Sequence, residues 1–411
     1  MTLTLLFVTP YFPYPPDNGT RVDLWGRLQF FQRCGWRIVL AICQTANLAE
    51  SQADLNQPLP LPLGPVNCFF IERAPRWSPR ELPEAIARLQ ALIDRERPQA
   101  IWCEYADLAR LAAGLDRRGA HLWFRPHNFE AAHKLDKSIA TLRLSRRKGD
   151  LDAVGWPVAI GRALVNGIQT IRLVYPGERL MHRIADRLFF ISEGDRRAMT
   201  QLYGNRVPND WVIPFLERAP VPVKPEKDVL EVAYLGGVYT NNVNRAGALD
   251  LIERVAPAVE AAMPGRFRFN LLGRCAREQL PVPSAPNVNI HDFVEDLSGF
   301  LTGVDIMCVP VSYGWGCKLK VVEAIASGLP VVAAPEALRG FPPHPGVFWS
   351  CRTLADYVAA FRALLAPAER ERTARQGRAT YLQWREQGEA VLLAALEEAA
   401  GNRSAVKAQA P

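Results

Sequence analysis

The chain reads as an α/β protein of two doubly wound, Rossmann-like parallel-sheet domains. Three observations predict this. Short apolar runs alternate with amphipathic helical runs from one end to the other, the pattern of strands covered by helices on both faces. At 411 residues the chain is long enough for two substantial cores. Between the halves, Ile213-Pro-Phe-Leu-Glu-Arg-Ala-Pro-Val-Pro-Val-Lys-Pro-Glu-Lys227 breaks the alternation with repeated prolines and no helical period, and reads as a linker. The expected division is 1–212 for an amino-terminal domain, 213–227 for the linker and 228–382 for a carboxy-terminal domain. Residues 383–400 form a terminal helix able to cross back to the first domain, and 401–411 a frayed tail. Ligands of open parallel sheets lie beyond the carboxyl ends of the strands, so two such domains are expected to face each other across a cleft.

In the first half, strands are expected at 3–9, 37–42, 66–71, 100–104, 121–126 and 187–191, with helices at 20–34, 83–96 and 107–115. The first strand lacks the basic start and small-residue cleavage site of a signal peptide. It feeds a long, proline-stiffened loop, Thr9-Pro-Tyr-Phe-Pro-Tyr-Pro-Pro-Asp-Asn-Gly-Thr20. Asn18 or Thr20 caps the following helix, Gly19 allows close approach to a ligand, and Arg21 falls in the first helical turn. Capping alone explains these residues, and a cleft-facing ligand loop explains them equally. His127 and Asn128 come directly off the strand at 121–126 and project from its carboxyl end. An imidazole there can bond a sugar hydroxyl or share charge with a leaving phosphate; a capping or surface histidine is the plainer alternative. His133 to Lys148 is a basic stretch carrying Lys134, Lys137, Arg143, Arg146 and Arg147, with Ile139, Leu142 and Leu144 among them. It reads either as a solvated helix or as one that meets an anionic bilayer or a lipid diphosphate.

The second half repeats the scheme, with strands at 230–235, 267–272, 288–291, 305–309 and 331–334 and helices at 245–263, 318–327, 353–365 and 369–396. Its first strand ends in Leu235-Gly-Gly-Val-Tyr-Thr-Asn-Asn-Val-Asn-Arg245. Gly236 and Gly237 permit backbone contact with a phosphate and Arg245 can grip a diphosphate, unless this is an ordinary strand-to-helix turn with asparagine caps. At the next strand end Gly273 can face a nucleotide, while Arg274 is as well explained by solvation. The most informative stretch is Gly314-Trp-Gly-Cys-Lys-Leu-Lys-Val-Val-Glu323. Gly314 and Gly316 let the backbone approach a ligand, and the helix that follows aims its free amides at the same place, where anions bind. Lys318 and Lys320 add positive charge. Glu323, one turn after Lys320, suits the hydroxyls of a ribose. Together they describe a pocket for a nucleotide diphosphate. A tight turn with solvated lysines is the structural alternative.

Composition narrows the setting. Hydrophobic residues at 49% and charged residues at 22% are those of an ordinary soluble globular protein, and the apolar runs fall short of the ~18 residues that span a bilayer. The eight cysteines are scattered without close pairs, which implies a reducing cytoplasm, no disulfide framework and no structural zinc. A net charge of +7 suits anionic ligands or an acidic membrane surface without choosing between them. No G-x-G-x-x-G follows a strand, and there is no G-K-[ST] loop, H-E-x-x-H or G-x-S-x-G elbow.

On these residues the chain resembles retaining glycosyltransferases of family 4, of the bacterial polysaccharide type, with the GT-B fold. The resemblance runs through the first-strand loop, His127-Asn128, Phe190-Ile-Ser-Glu193 and Gly236-Gly237. It is most specific at 314–332, which has the form G-x-G-x-x-x-K-x-x-E-A-x-A-x-G-x-P-V-V. It implies a nucleotide diphosphate-sugar donor held mainly by the second domain and a glycan or lipid-linked acceptor on the first. It also implies transfer with retention, and neither cofactor nor divalent metal. By position, Glu323 matches the glutamate that binds the donor ribose, and Lys320 and Arg245 fall near the basic residues that neutralise the diphosphate. His127 matches a histidine that contacts the transferred sugar, and Gly19 matches the glycine of the first-strand loop. In this reading His127 and Lys320 are catalytic. Gly236, Gly237, Arg245, Gly273, Gly316, Cys317, Lys318 and Glu323 hold the donor, and Asn18, Gly19, Arg21 and Asn128 line the acceptor loop. Trp315 stands eight residues before Glu323, where the family has its first glutamate, and amides of Gly316 and Cys317 are expected to replace part of that contact. Asp150-Leu-Asp152 spells the D-x-D of metal-dependent sugar transferases, but no strand precedes it and it reads as chance. The expected setting is the cytoplasm, at the inner face of the membrane, in surface polysaccharide synthesis, with no nucleic-acid partner. Rival readings are an epimerase of the same architecture, which would need further acid and base carboxylates, and a non-catalytic partner subunit that keeps the fold.

Overall fold

The structure is a computed structural model and describes residues 3–16, 19–45, 68–73, 82–147, 155–222, 227–283 and 285–408. Its contacts divide the chain into two compact units. The first comprises Met1–Glu130, Ile171–Phe215 and Arg385–Pro411, and the second Ala131–Thr170 and Leu216–Trp384.

The first unit is built on a parallel seven-stranded sheet of order β3-β2-β1-β4-β5-β6-β7. The strands are β1 (Thr4–Thr9), β2 (Arg37–Thr45), β3 (Cys68–Arg73), β4 (Ala100–Glu104), β5 (His121–Arg125), β6 (Arg187–Phe190) and β7 (Asn209–Trp211). Helices α1 (Gly19–Arg33), α2 (Leu82–Glu96) and α3 (Ala109–Ala113) connect the earlier strands. Between β5 and β6 the chain forms α4 (Glu130–Arg147), α5 (Gly155–Gln169), a π-helical turn at Thr170–Val174 and α6 (Tyr175–Ile184); α7 (Glu193–Tyr203) follows β6. Successive residues of a strand point to opposite faces, and here both faces are apolar. Leu6 and Val8 of β1 join Ile101, Leu122 and Phe124 in one core cluster. Phe7, on the other face, stacks on Trp102 at 6.1 Å, and Trp102 stacks in turn on Phe189 at 5.0 Å.

The second unit carries a parallel six-stranded sheet of order β10-β9-β8-β11-β12-β13. Its strands are β8 (Leu230–Val238), β9 (Phe267–Arg274), β10 (Val288–His291), β11 (Ile306–Val309), β12 (Val331–Ala333) and β13 (Phe348–Ser350). The helices are α8 (Asn242–Asp250), α9 (Ala256–Ala262), α10 (Ala276–Gln279), α11 (Leu297–Thr302), α12 (Leu319–Ala326), α13 (Pro335–Leu338), α14 (Leu354–Ala363) and α15 (Pro367–Ala408). The single helix expected at 245–263 is broken by a π-helical turn at Leu251–Val255, immediately before the Pro257 that opens α9. A proline cannot donate to the turn behind it, so the ladder slips there. The π turn before Tyr175-Pro176 has the same cause.

The doubly wound parallel architecture expected from the alternation is what the chain adopts in both halves. Three features depart from the linear reading. Strands β7 and β13, three residues each and both at sheet edges, were too short to show an alternation. By contacts α4 from Ala131 and α5 group with the second unit, although their sequence precedes β6. The connection after Ile213 is not slack. Leu216 donates its N–H to the Tyr381 hydroxyl at 2.7 Å and receives that hydroxyl's proton on its carbonyl at 2.9 Å, and Val221 donates to the Ser327 carbonyl at 2.7 Å. The terminal helix begins at Pro367, and its contacts change from the second unit to the first at Arg385. Among the described residues no helix is long and apolar enough to cross a membrane.

Candidate active site

In the second unit the chain leaves β11 through a glycine loop and enters α12. Gly314 and Gly316 have φ of +84° and +82°, a conformation only glycine adopts without strain. The loop is anchored by α4. Gly314 donates its N–H to Asp136 Oδ2 at 3.3 Å, and Trp315 donates to His133 Nδ1 at 3.2 Å. Burial, then the charges of Lys318, Lys137 and Lys134, push His133 down to about 4, so the imidazole is neutral and its Nδ1 can accept. Lys318 precedes the first helical residue and donates from Nζ to the Trp315 carbonyl at 2.8 Å. The Arg339 guanidinium lies 4.5 Å over the Trp315 ring and 3.7 Å from Asp136. The first two loop amides are therefore taken by side chains of α4.

Behind the loop, Lys320 donates from Nζ to Tyr234 Oη at 3.2 Å and Asn244 Oδ1 at 3.1 Å and lies 4.4 Å over the Tyr234 ring. Burial, with Lys318 adding repulsion, lowers its pKa to about 7. Glu323 is 5% exposed and accepts from Arg218 Nε at 2.5 Å. Burial raises its pKa, only partly opposed by Arg218. Lys320 and Glu323 thus share a helix face, as the spacing predicts, but bind different neighbours. Arg245 sits in α8, and its Nε is buried without a hydrogen-bond partner among the described residues, leaving the guanidinium with donor capacity to spare.

Three glycines expected at the donor, Gly236 and Gly237 at a phosphate and Gly273 facing the nucleotide, have a further structural explanation. A Cβ on Gly236 would lie 2.0 Å from the Tyr239 ring, and one on Gly273 2.7 Å from it. Tyr239 is fully buried and donates its hydroxyl to the Leu272 carbonyl at 3.1 Å. At both positions the covering tyrosine is by itself enough to require glycine. Gly237, at φ +68°, takes up the bulge in β8 that follows Leu235.

The first unit holds a cluster that sequence reasoning missed. Glu104 ends β4, Arg125 ends β5, and Asp23 and Arg27 come from α1; all four are fully buried. Arg125 forms a bidentate pair with Asp23, its second bond being 2.9 Å, and lies 3.8 Å from Glu104. Burial opposes the Asp23 charge, but Arg125, His127 and Arg27 overcome it and hold the carboxyl below its ordinary value. Burial and the Arg125 charge push Arg27 down to about 9. Glu104 accepts from Trp102 Nε1 at 2.8 Å and stands 2.5 Å from His127 Nε2. His127 is therefore neither a helix cap nor a surface residue. It is 8% exposed, paired with Glu104 and stacked 4.0 Å from Tyr105 at an interplanar angle of 8°. The one sequence signal was a charge closing each of two buried apolar strands, Glu104 and Arg125.

Asn128 donates to Glu130 Oε1 at 2.8 Å, a local contact at the start of α4. Gly19 is the exposed first residue of α1, and Arg21 is half-buried in its first turn. Asn18, Lys148 and the Asp150-Leu-Asp152 triplet lie outside the described residues.

Two family profiles match the sequence: "Glycosyl transferase 4-like domain" over residues 20–214 and "Glycosyl transferases group 1" over residues 230–367. Similar solved structures include sucrose-phosphate synthase from Thermosynechococcus elongatus, at 13% identity and TM-score 0.66, covering 96% of this chain and 98% of that one. TarM matches at 9% identity and TM-score 0.64, covering 97% and 98%. HepE from Anabaena, in complex with UDP and glucose, matches at 12% identity and TM-score 0.57, covering 95% and 100%. At such identities the structural likeness speaks for the fold alone. No curated protein matches the chain significantly.

Proposed function

Since this chain belongs to the glycosyltransferases, with a family 4-like domain followed by a group 1 domain on a GT-B fold, we propose that it moves a sugar from a nucleoside diphosphate to a glycan or lipid-linked hydroxyl. The observation that carries the donor reading is the face of α12, where the Lys320 amine and the buried Glu323 carboxylate stand one turn apart behind the glycine loop. Arg245 adds a guanidinium with an uncommitted Nε. In the reaction the bond from the anomeric carbon to phosphate breaks and a bond to the acceptor oxygen forms. The acceptor proton passes to a phosphate oxygen of the leaving diphosphate, and retention follows from attack on the face that group vacates. Negative charge grows on the diphosphate as it departs, so fixed cations and amides stabilise the transition state more than the ground state. The reading requires no metal. A uridine nucleotide is the first donor to test, since HepE is seen with UDP and glucose. The acceptor is assigned to the first unit, and His127, held there by Glu104 and Tyr105, is assigned to a hydroxyl of the transferred sugar. Surface polysaccharide assembly at the cytoplasmic membrane face is the process that suits such an acceptor.

Calorimetric titration with UDP, GDP and dTDP tests the site. Lys320→Ala and Glu323→Gln are expected to weaken the preferred diphosphate by about ten-fold or more, the scale of a lost charge-assisted hydrogen bond. Unchanged affinity in both variants would show that the nucleotide binds elsewhere.

A further inference from the structure

We propose that α5, which follows the basic stretch of α4 in the chain, is a docking surface for an anionic phospholipid bilayer. Among the described residues fourteen large apolar side chains are exposed, and eight of them fall between Leu135 and Leu173. Such clustering is not the scatter of single apolar residues found on ordinary surfaces. Five lie on α5: Val158, Ile160, Leu164, Val165 and Ile168, each between 46% and 62% exposed. At 100° per residue all five fall on one half of the helix, and the only charged residue in α5 is Arg162.

Charge identifies the occupant. From Lys134 to Lys148 the chain carries six basic residues against one acid, Asp136. Lys134 and Lys137 are exposed, as are Leu135 and Ile139 beside them. An apolar helix face preceded in the chain by a basic stretch with exposed lysines matches an interface of acyl chains below anionic headgroups. A second copy of the chain fits poorly, because a two-fold contact through this face would bring two basic stretches together. A bilayer crossing is not indicated, since among the described residues no helix is long and apolar enough for one.

The other face of α4 is committed to the glycine loop through His133 and Asp136. The helix that carries the basic stretch is thus the one that braces the candidate donor loop. The inference deepens the lipid-linked acceptor of the proposed function but stands on separate observations.

Co-sedimentation of the full chain with phosphatidylcholine vesicles, with and without phosphatidylglycerol, tests it. The protein is expected to pellet with the anionic vesicles and to be released by added salt. Leu164→Asp with Ile168→Asp should weaken partitioning by about ten-fold or more while leaving the melting temperature unchanged. Lys134→Glu with Lys137→Glu should remove the preference for phosphatidylglycerol. A wild-type chain that stays in the supernatant, or a Leu164/Ile168 variant that pellets equally well, overturns the proposal. A dimer in sedimentation equilibrium that the same variant dissociates would overturn it too, assigning the patch to self-association. Pelleting without diphosphate binding would sink the transferase reading alone, and diphosphate binding without pelleting would sink this one.

Discussion

Lys320 stands in the proposed donor site with its amine pushed down to about 7 by burial and by Lys318, so near neutral pH a large share of molecules present it uncharged. An arriving diphosphate favours the ammonium form and raises that pKa, so binding takes up a proton. Affinity is expected to be greatest below pH 7 and to fall as pH rises through the free-protein value. Calorimetry in buffers of different ionisation enthalpy would register the proton, and equal heats in all buffers would count against the charge change. In the first unit, Asp23→Asn leaves the buried Arg125 and Arg27 without their full counter-charge. It is expected to cost about 3–5 kcal/mol in chemical denaturation, the range for breaking a buried ion pair. The shared helix face of Lys320 and Glu323 was legible because a spacing of three residues sets it. Asp23 and Arg125 were not, because their pairing joins residues 102 positions apart, each lying inside a run that reads as core.

At the level of elements, β8 and its bulge turn on Tyr239. Gly236→Ala is expected to drive a methyl group into that ring and destabilise the second unit by about 1–3 kcal/mol. Pairing it with Tyr239→Leu should recover part of the loss. A Gly236→Ala chain that melts like wild type yet loses diphosphate affinity would restore the phosphate reading of that glycine. The sequence could show that a strand ended in paired glycines, but not that an aromatic ring three residues later would fold back onto them. The edge strands β7 and β13 escaped notice for a related reason: three residues carry too little pattern, and pairing with one neighbour makes them strands. The prolines at 176 and 257 were visible, while the π turns they enforce become evident only from the backbone ladder.

For the whole molecule, acid sensitivity follows from His133 and His182, both lowered to about 4, chiefly by burial. A histidine whose folded pKa is depressed favours the fold when neutral. That stability is complete above about pH 6.5 and is lost as pH falls toward 4. The melting temperature is expected to drop between pH 7 and 4.5, and a His133→Asn, His182→Phe chain should show a flatter profile. An identical profile in both proteins would place the loss on other groups. The two-sheet plan was legible because it rests on periodicity repeated over hundreds of residues. The membership of α4 was not, since it depends on single contacts across 178 and 182 positions. Arg218 lies on the segment that joins the halves and already claims one oxygen of Glu323. In the proposed function a nucleoside reaching that carboxylate competes with the protein's own guanidinium, so Arg218 is the first side chain its pentose would displace.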